Sequence, residues 1–166
     1  GKADTIAGSD FEYDPHSQIV QSQGEAHIVL HAPATNARTG APNKEAGQVV
    51  RVTTHGLTFN QKTGVATCSG EVDFQIADSS GQAVGAEYDS KQGHLTLQSQ
   101  IVLTTTMQNY PAVLRASQAL YDRSSGDIHL WQPQYTSRTQ SGTMSGTAGT
   151  ATVLLRANGS VEQLDA

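Results

Sequence analysis

Cysteine is nearly missing from this 166-residue chain. The single Cys68 excludes an internal disulfide and any multi-cysteine zinc site, but it leaves the redox compartment open. Aromatic residues are also scarce, at 5%, and apolar residues reach only 36%, a thin supply for a compact globular core. Basic residues are few: ten Lys and Arg lie scattered along a chain of net charge −5. A nucleic-acid partner would need a basic stripe against its phosphates, so that class of partner is excluded. No apolar run approaches the ~20 residues of a membrane helix, and no signal peptide is visible. The chain opens "GKADT" without a Met and is read as a trimmed piece. Helical apolar spacing is almost absent, because Gly, Thr and Ser interrupt nearly every window of helical length.

What the sequence does have is alternation. Leu95, Leu97, Ile101 and Leu103 share one parity, and His94, Thr96, Gln98 and Gln100 the other. That is the pattern of a strand with one covered and one wet face. Ala66, Cys68, Val72, Phe74 and Ile76 repeat it, as do Val20, Ala26, Ile28 and Leu30. Shorter versions occur at Val50 and Val52, at Ile128 and Leu130, and at Val153 and Leu155. The stretch "YPAVLRASQALYD" (110–122) alternates through Ala112, Leu114 and Ala116 and is expected to be a strand.

A repeat lies over the alternation. "LTFNQKTGVATCSGEVDF", "GAEYDSKQGHLTLQSQIVLTT" and "ASQALYDRSSGDIHLW" share an aromatic followed by Asn or Asp, a polar gap, a Gly and an alternating run. Phe59 to Tyr88 is 29 residues and Tyr88 to Tyr121 is 33. In each copy a Gly stands four residues after the Asn or Asp: Gly64 after Asn60, Gly93 after Asp89, Gly126 after Asp122. Asp and Asn close turns by bonding the backbone ahead of them, and Gly supplies the positive φ of tight hairpins. Each copy therefore reads strand, turn, strand, and "DFEYDPHSQIVQSQGEAHIVLH" (10–31) is a looser fourth. The closing "RANGSVEQL" puts Asn-Gly between two short alternating runs, a hairpin signal. Two segments depart from the plan: residues 32–48, rich in Pro, Ala and Gly, and residues 137–150, rich in Gly, Ser and Thr. Both are expected to be long loops or edges.

Repeats of this kind resemble the periplasmic proteins of lipopolysaccharide transport, the OstA-like family of LptA and LptC, over most of residues 10–136. The resemblance implies one all-β domain spanning 1–166: a twisted, V-shaped antiparallel β-jellyroll built from repeated hairpins and open at its ends. It implies a non-catalytic periplasmic protein without cofactor or metal, which carries lipopolysaccharide or a similar amphiphile toward the outer membrane in an apolar trough. The parity assigns that trough Val20, Ala26, Ile28, Leu30, Val50, Val52, Val72, Phe74, Ile76, Leu95, Leu97, Ile101, Leu103, Leu114, Ile128, Leu130, Val153 and Leu155. Partners would be other transport proteins joined edge to edge, with Phe11–Leu30 and Thr150–Leu164 as candidate edges. A trimmed LptC-type ectodomain is the preferred member, its inner-membrane anchor lying outside this segment.

Other chemistry is weaker. His27 and His31 have the i,i+4 spacing of a helical zinc site, yet on a strand they stand ~13 Å apart and cannot share an ion. His94 and His129 occupy equivalent repeat positions on the polar parity. Cys68 sits on the apolar parity, where a thiol is an inert small hydrophobe. Asp14, Asp89 and Asp122 could be paired glycosidase carboxylates, with Trp131 and Tyr135 stacking on sugar, but their common place before a turn favours a turn role. A carbohydrate-active or purely structural repetitive envelope protein is the alternative.

Overall fold

In a computed structural model of the chain, residues 5–31, 49–76, 79–107, 110–123, 127–155 and 161–165 are described. Fourteen strands form one sheet, and no helix occurs among the described residues. Five long strands make its body: β3 (Ile19–His31), β4 (Val49–Asn60), β5 (Val65–Ile76), β6 (Ser79–Asp89) and β7 (His94–Met107). Each pairs antiparallel with the next. Short strands extend them at the N-terminal side, β1 (Thr5–Gly8) and β2 (Phe11–Asp14), both on β3. On the other side come β8 (Tyr110–Ala116), β9 (Gln118–Asp122), β10 (Asp127–Trp131), β11 (Gln134–Thr139), β12 (Gly142–Thr147), β13 (Thr150–Leu155) and β14 (Val161–Asp165).

The sheet folds over on itself because the ladders between the five long strands are all broken at the same level. Registers shift between Ser22 and Glu25, Thr54 and Thr58, Cys68 and Glu71, and Gln82 and Val84. Along the same line β1 gives way to β2, β8 to β9 at Ser117, β10 to β11 and β12 to β13. Bulges bend the strand that carries them and raise its local twist. Aligned across the sheet, they form a corner. Residues at that corner adopt left-handed φ, among them Gly56 (77°), Gly85 (82°), Gln100 (52°) and Gln132 (51°). One sheet half contains β2, β9, β10, β13 and the adjoining ends of the long strands. The other contains β1, β8, β11, β12 and the opposite ends. The result is a twisted, open V-shaped jellyroll whose inner faces share one apolar core.

The repeat motif forms the hairpin tips of the first half. Asp14, Asn60 and Asp89 each accept bonds from backbone amides two or three residues ahead, and Gly64 and Gly93 donate back to the carbonyls of Asn60 and Asp89. The tips also stack: amides of Gln61, Ser90 and Arg123 donate to the carbonyls of Gln18, Gly64 and Gly93 of the preceding tips. In the N-terminal copy Gln18 holds the glycine's place at φ 59°, which is why that copy looks looser in sequence.

Two expectations change. Of residues 137–150, expected as a long loop or an edge, 137–147 lie in the hairpin β11–β12, whose β12 is an edge strand rather than a loop, because Ser, Thr and Gly can meet a flat partner strand as well as they fill a turn. The run 110–122 is two strands, parted at Ser117 by the corner. The strands flanking Asn158-Gly159 do pair antiparallel, while the turn itself and residues 32–48 lie outside the described residues.

A left-handed residue with a Cβ is strained by about 1–2 kcal/mol, offset in part by the extra chain entropy of glycine. Gln18→Gly should therefore raise stability by about 0.5–1 kcal/mol, read from the urea midpoint. Gly64→Gln should lower it, since an added Cβ would also meet the Ser90 hydroxyl at 2.7 Å.

Candidate functional site: the apolar interior

Register carries one inward row across the whole first half. Tyr13, Val20, Phe59, Ala66, Tyr88, Leu95, Tyr121, Ile128 and Val153 are successive Cα partners on nine strands. The aromatic of every repeat copy thus points inward, one step before the turn that its Asp or Asn closes. A matching row in the second half runs Ile6, Ile28, Val52, Phe74, Gly81, Leu103, Leu114, Tyr135 and Gly146. The two glycines in this row lie beneath rings. A Cβ on Gly81 would strike the Phe74 ring and the Val102 carbonyl, and one on Gly146 the Tyr135 ring.

Sixteen of the eighteen residues assigned to the trough by parity are buried. Val20 is half-buried, and the side chain of Leu155 lies outside the described residues. Parity worked where a strand keeps its inward phase across the corner, as β3, β5 and β7 do. In β4 the inward set passes from Val50, Val52 and Thr54 to Leu57, and in β6 from Ala83 to Ala86 and Tyr88. Sequence alternation missed Leu57, Ala83, Ala86, Ala119 and Ala151 for this reason or because alanine carries little signal. Tyr88 and Tyr121 were findable from the repeat.

Between the halves lies a cavity of about 30 Å³, lined by Val50, Phe74, Ile76, Leu95, Leu97, Ile101, Leu103, Leu114, Ala116, Ala119, Tyr121, Ile128, Leu130 and Val153. It has room for about one water, and its lining is almost wholly apolar. The interior is nearly filled.

The rows end uncovered. Phe11 and Tyr13 on β2 are 56% and 54% exposed, although Tyr13 belongs to a row whose middle is almost inaccessible. At the opposite end Met144 of β12, the register partner of the buried Ser137, is 47% exposed. Among the described residues, β1 and β2 pair only with β3, and β12 only with β11. The candidate C-terminal edge at Thr150–Leu164 is therefore corrected. β13 has β10 on one side and β14 on the other, and β14 in turn meets β7 in parallel at the Val161–Met107 pair. Among the described residues the unpaired edge on this side belongs to β12.

The polar candidates disperse. His27 bonds Glu25 at 2.8 Å and Thr53 at 3.2 Å on the outer face. His129 bonds Thr152, and His94 lies 3.9 Å from the buried Asp122. No cluster of metal-ligating side chains occurs among the described residues. Cys68 is buried, with the Thr54 hydroxyl as its partner. Trp131 faces outward and Tyr135 inward, so they form no common platform. Asp14 and Asp89 are turn caps spread along the row of tips. The His16 amide, then the Ser17 hydroxyl, hold the Asp14 carboxyl below its usual 3.8.

No family model matches the chain, and no curated protein does. Among solved structures it is similar to LptH, the LptA-homologous periplasmic component of the lipopolysaccharide transport device of Pseudomonas aeruginosa. The TM-score is 0.51 over 78% of this chain and 82% of that one, at 10% sequence identity. The two proteins share one fold. The OstA-like resemblance read from the repeats is met at the level of architecture, an open all-β jellyroll.

Two outcomes test the site. Leu97→Ala removes a side chain from the cavity wall and should cost about 2–5 kcal/mol of unfolding free energy, read by chemical denaturation. A carboxyl held below its ordinary value stabilises the fold above that value and ceases to do so as pH falls through the lowered one. The Asp14 turn should therefore loosen only below pH 3.8, seen as faster His16 amide exchange, and Asp14→Asn should remove that dependence.

Proposed function

We propose that this chain is a non-catalytic periplasmic carrier that takes acyl chains of lipopolysaccharide into the space between its two sheet halves and passes them toward the outer membrane. The observation that carries this reading is the inward apolar row that runs unbroken across nine strands and ends in exposed Tyr13, with exposed Phe11 two residues before it on β2. A sheet that had only to be stable would cover those rings. A passage for apolar chains leaves its mouth apolar. Each methylene drawn from water gains about 0.8 kcal/mol, and small aliphatic walls without polar partners hold a chain without fixing its position.

The closed interior is too small for an acyl chain, so loading parts the two halves. The corner is where they can part. Ladder hydrogen bonds are already interrupted there in every long strand, and left-handed residues already absorb the bend. The likeness to LptH supports the location and the class of cargo. The unpartnered β1–β2 and β12 edges support joining to neighbours of the same architecture by strand addition.

Photo-crosslinkers at Leu97, Phe74 and Ile28 should capture lipopolysaccharide, and those at outward Gln98 and Gln75 should not. Capture from the outward pair alone would overturn the proposal. Tyr13→Asp should weaken lipopolysaccharide binding about tenfold, or about 1.4 kcal/mol, in a fluorescence-displacement titration, with an unchanged melting temperature.

A further inference from the structure

The outermost strand of the first sheet half at its N-terminal side is β2. Its residues Phe11 to Asp14 are all exposed, and among the described residues it pairs only with β3. Its two rings continue inward rows: Tyr13 follows Val20 and Phe59, and Phe11 follows Ser22 and Leu57, both of them buried. Between and beside the rings come Asp10, Glu12 and Asp14, all exposed. The β3 residues paired with this strand, Ile19, Val20, Gln21 and Ser22, carry no charge to offset them. The edge thus lacks two things at once, a cover for its rings and cations for its carboxylates.

The hairpin tip beside it is closed to extension. In the later tips the first residue of the turn, Gln61, Ser90 or Arg123, donates its amide to a carbonyl of the tip before. The corresponding residue of the first tip is Pro15, which has no amide to donate. The stack of tips therefore ends at Pro15, and another hairpin of the same repeat would gain no tip-to-tip bond there. A second copy of the chain is also a poor match in charge. Two β2 strands side by side would set carboxylates against carboxylates, and the free edge β12, Gly142–Thr147, has no charge to set against them.

We propose that β2 takes on an extended strand of a different protein, one in which apolar and basic side chains alternate. The inference rests on the reading that neighbours join this chain by strand addition, and it names the chemistry of the neighbour at this edge. Main-chain bonds to the open side of β2 hold the incoming strand. Side chains of paired strands alternate together, so its apolar residues lengthen the rows that end in Phe11 and Tyr13, while its Lys or Arg residues fall on the face of Glu12 and Asp14. The carboxylates select the partner: they draw a basic strand in and turn an acidic one away. They also keep a bare edge from pairing at random.

The test is an amide NMR titration of the whole chain with Lys-Val-Lys-Val-Lys-Val-Lys, blocked at both ends, against a peptide of the same composition whose lysines and valines are grouped apart. The alternating peptide should shift the Phe11, Glu12 and Tyr13 amides saturably, slow their exchange with solvent, and bind at least about tenfold more tightly than the grouped one. Glu12→Lys should weaken that binding about tenfold at an unchanged melting temperature. Equal binding of the two peptides, which is charge attraction alone, overturns the inference. So does protection confined to β12 or another surface, wild-type affinity in Glu12→Lys, or protection of the β2 amides on raising the protein concentration without peptide, which is a second copy. Lipopolysaccharide capture from Leu97 reads the carrier proposal separately. Capture with no peptide on β2 overturns only the inference about this edge, and the peptide on β2 without capture upholds it while the cargo reading falls.

Discussion

The backbone hydrogen-bond register of the antiparallel ladder is the constraint on which the molecule depends. Side chains on directly opposed residues stand on the same face, so a register held from β2 to β13 turns nine separate inward residues into one continuous row. A slip of one residue in any strand would expose its apolar set and break the row at that place. The hairpin tips guard against such slips. Their Asp or Asn caps fix where each turn closes, and the amide-to-carbonyl bonds between successive tips tie each hairpin to the one before it. The repeat is thus a device for keeping register, and the aromatic beside each cap is carried inward as a consequence.

A sheet of this width would twist open and leave its apolar face bare unless it folded over. The aligned bulges solve this by bending every strand at one level, which brings Leu97 and Leu130 of one half toward Leu103 and Leu114 of the other around the same small cavity. The aligned bulges of the long strands interrupt their ladders along a common line, and the same feature closes the core. The bend draws on left-handed residues, Gly56 and Gly85 among them.

Much of this was legible in the chain. Alternation named most of the inward face, since burying one side of a strand imposes a period of two. Spacing named the turns, because few residues other than Asp, Asn and Gly close them. Where reading failed, it failed for physical reasons. Residues 137–150 have only Met144 and Ala148 as apolar side chains, β12 being an edge whose face is largely wet, so the hairpin has no alternating hydrophobic signature to show. Leu57 and Ala83 fall on the unexpected parity because a bulge resets the phase, and phase is invisible without the partner strand.

The sequence alone settled that the chain is all-β, that it is built from one repeated hairpin, and which side of most strands is oily, because these follow from local periodicity and turn chemistry. Only the tertiary structure decided where the sheet bends, that among the described residues β12 rather than β13 is a free edge, and how little space the interior holds. Those features are set by which strand lies beside which, and pairing between residues far apart in sequence leaves no local mark on either of them.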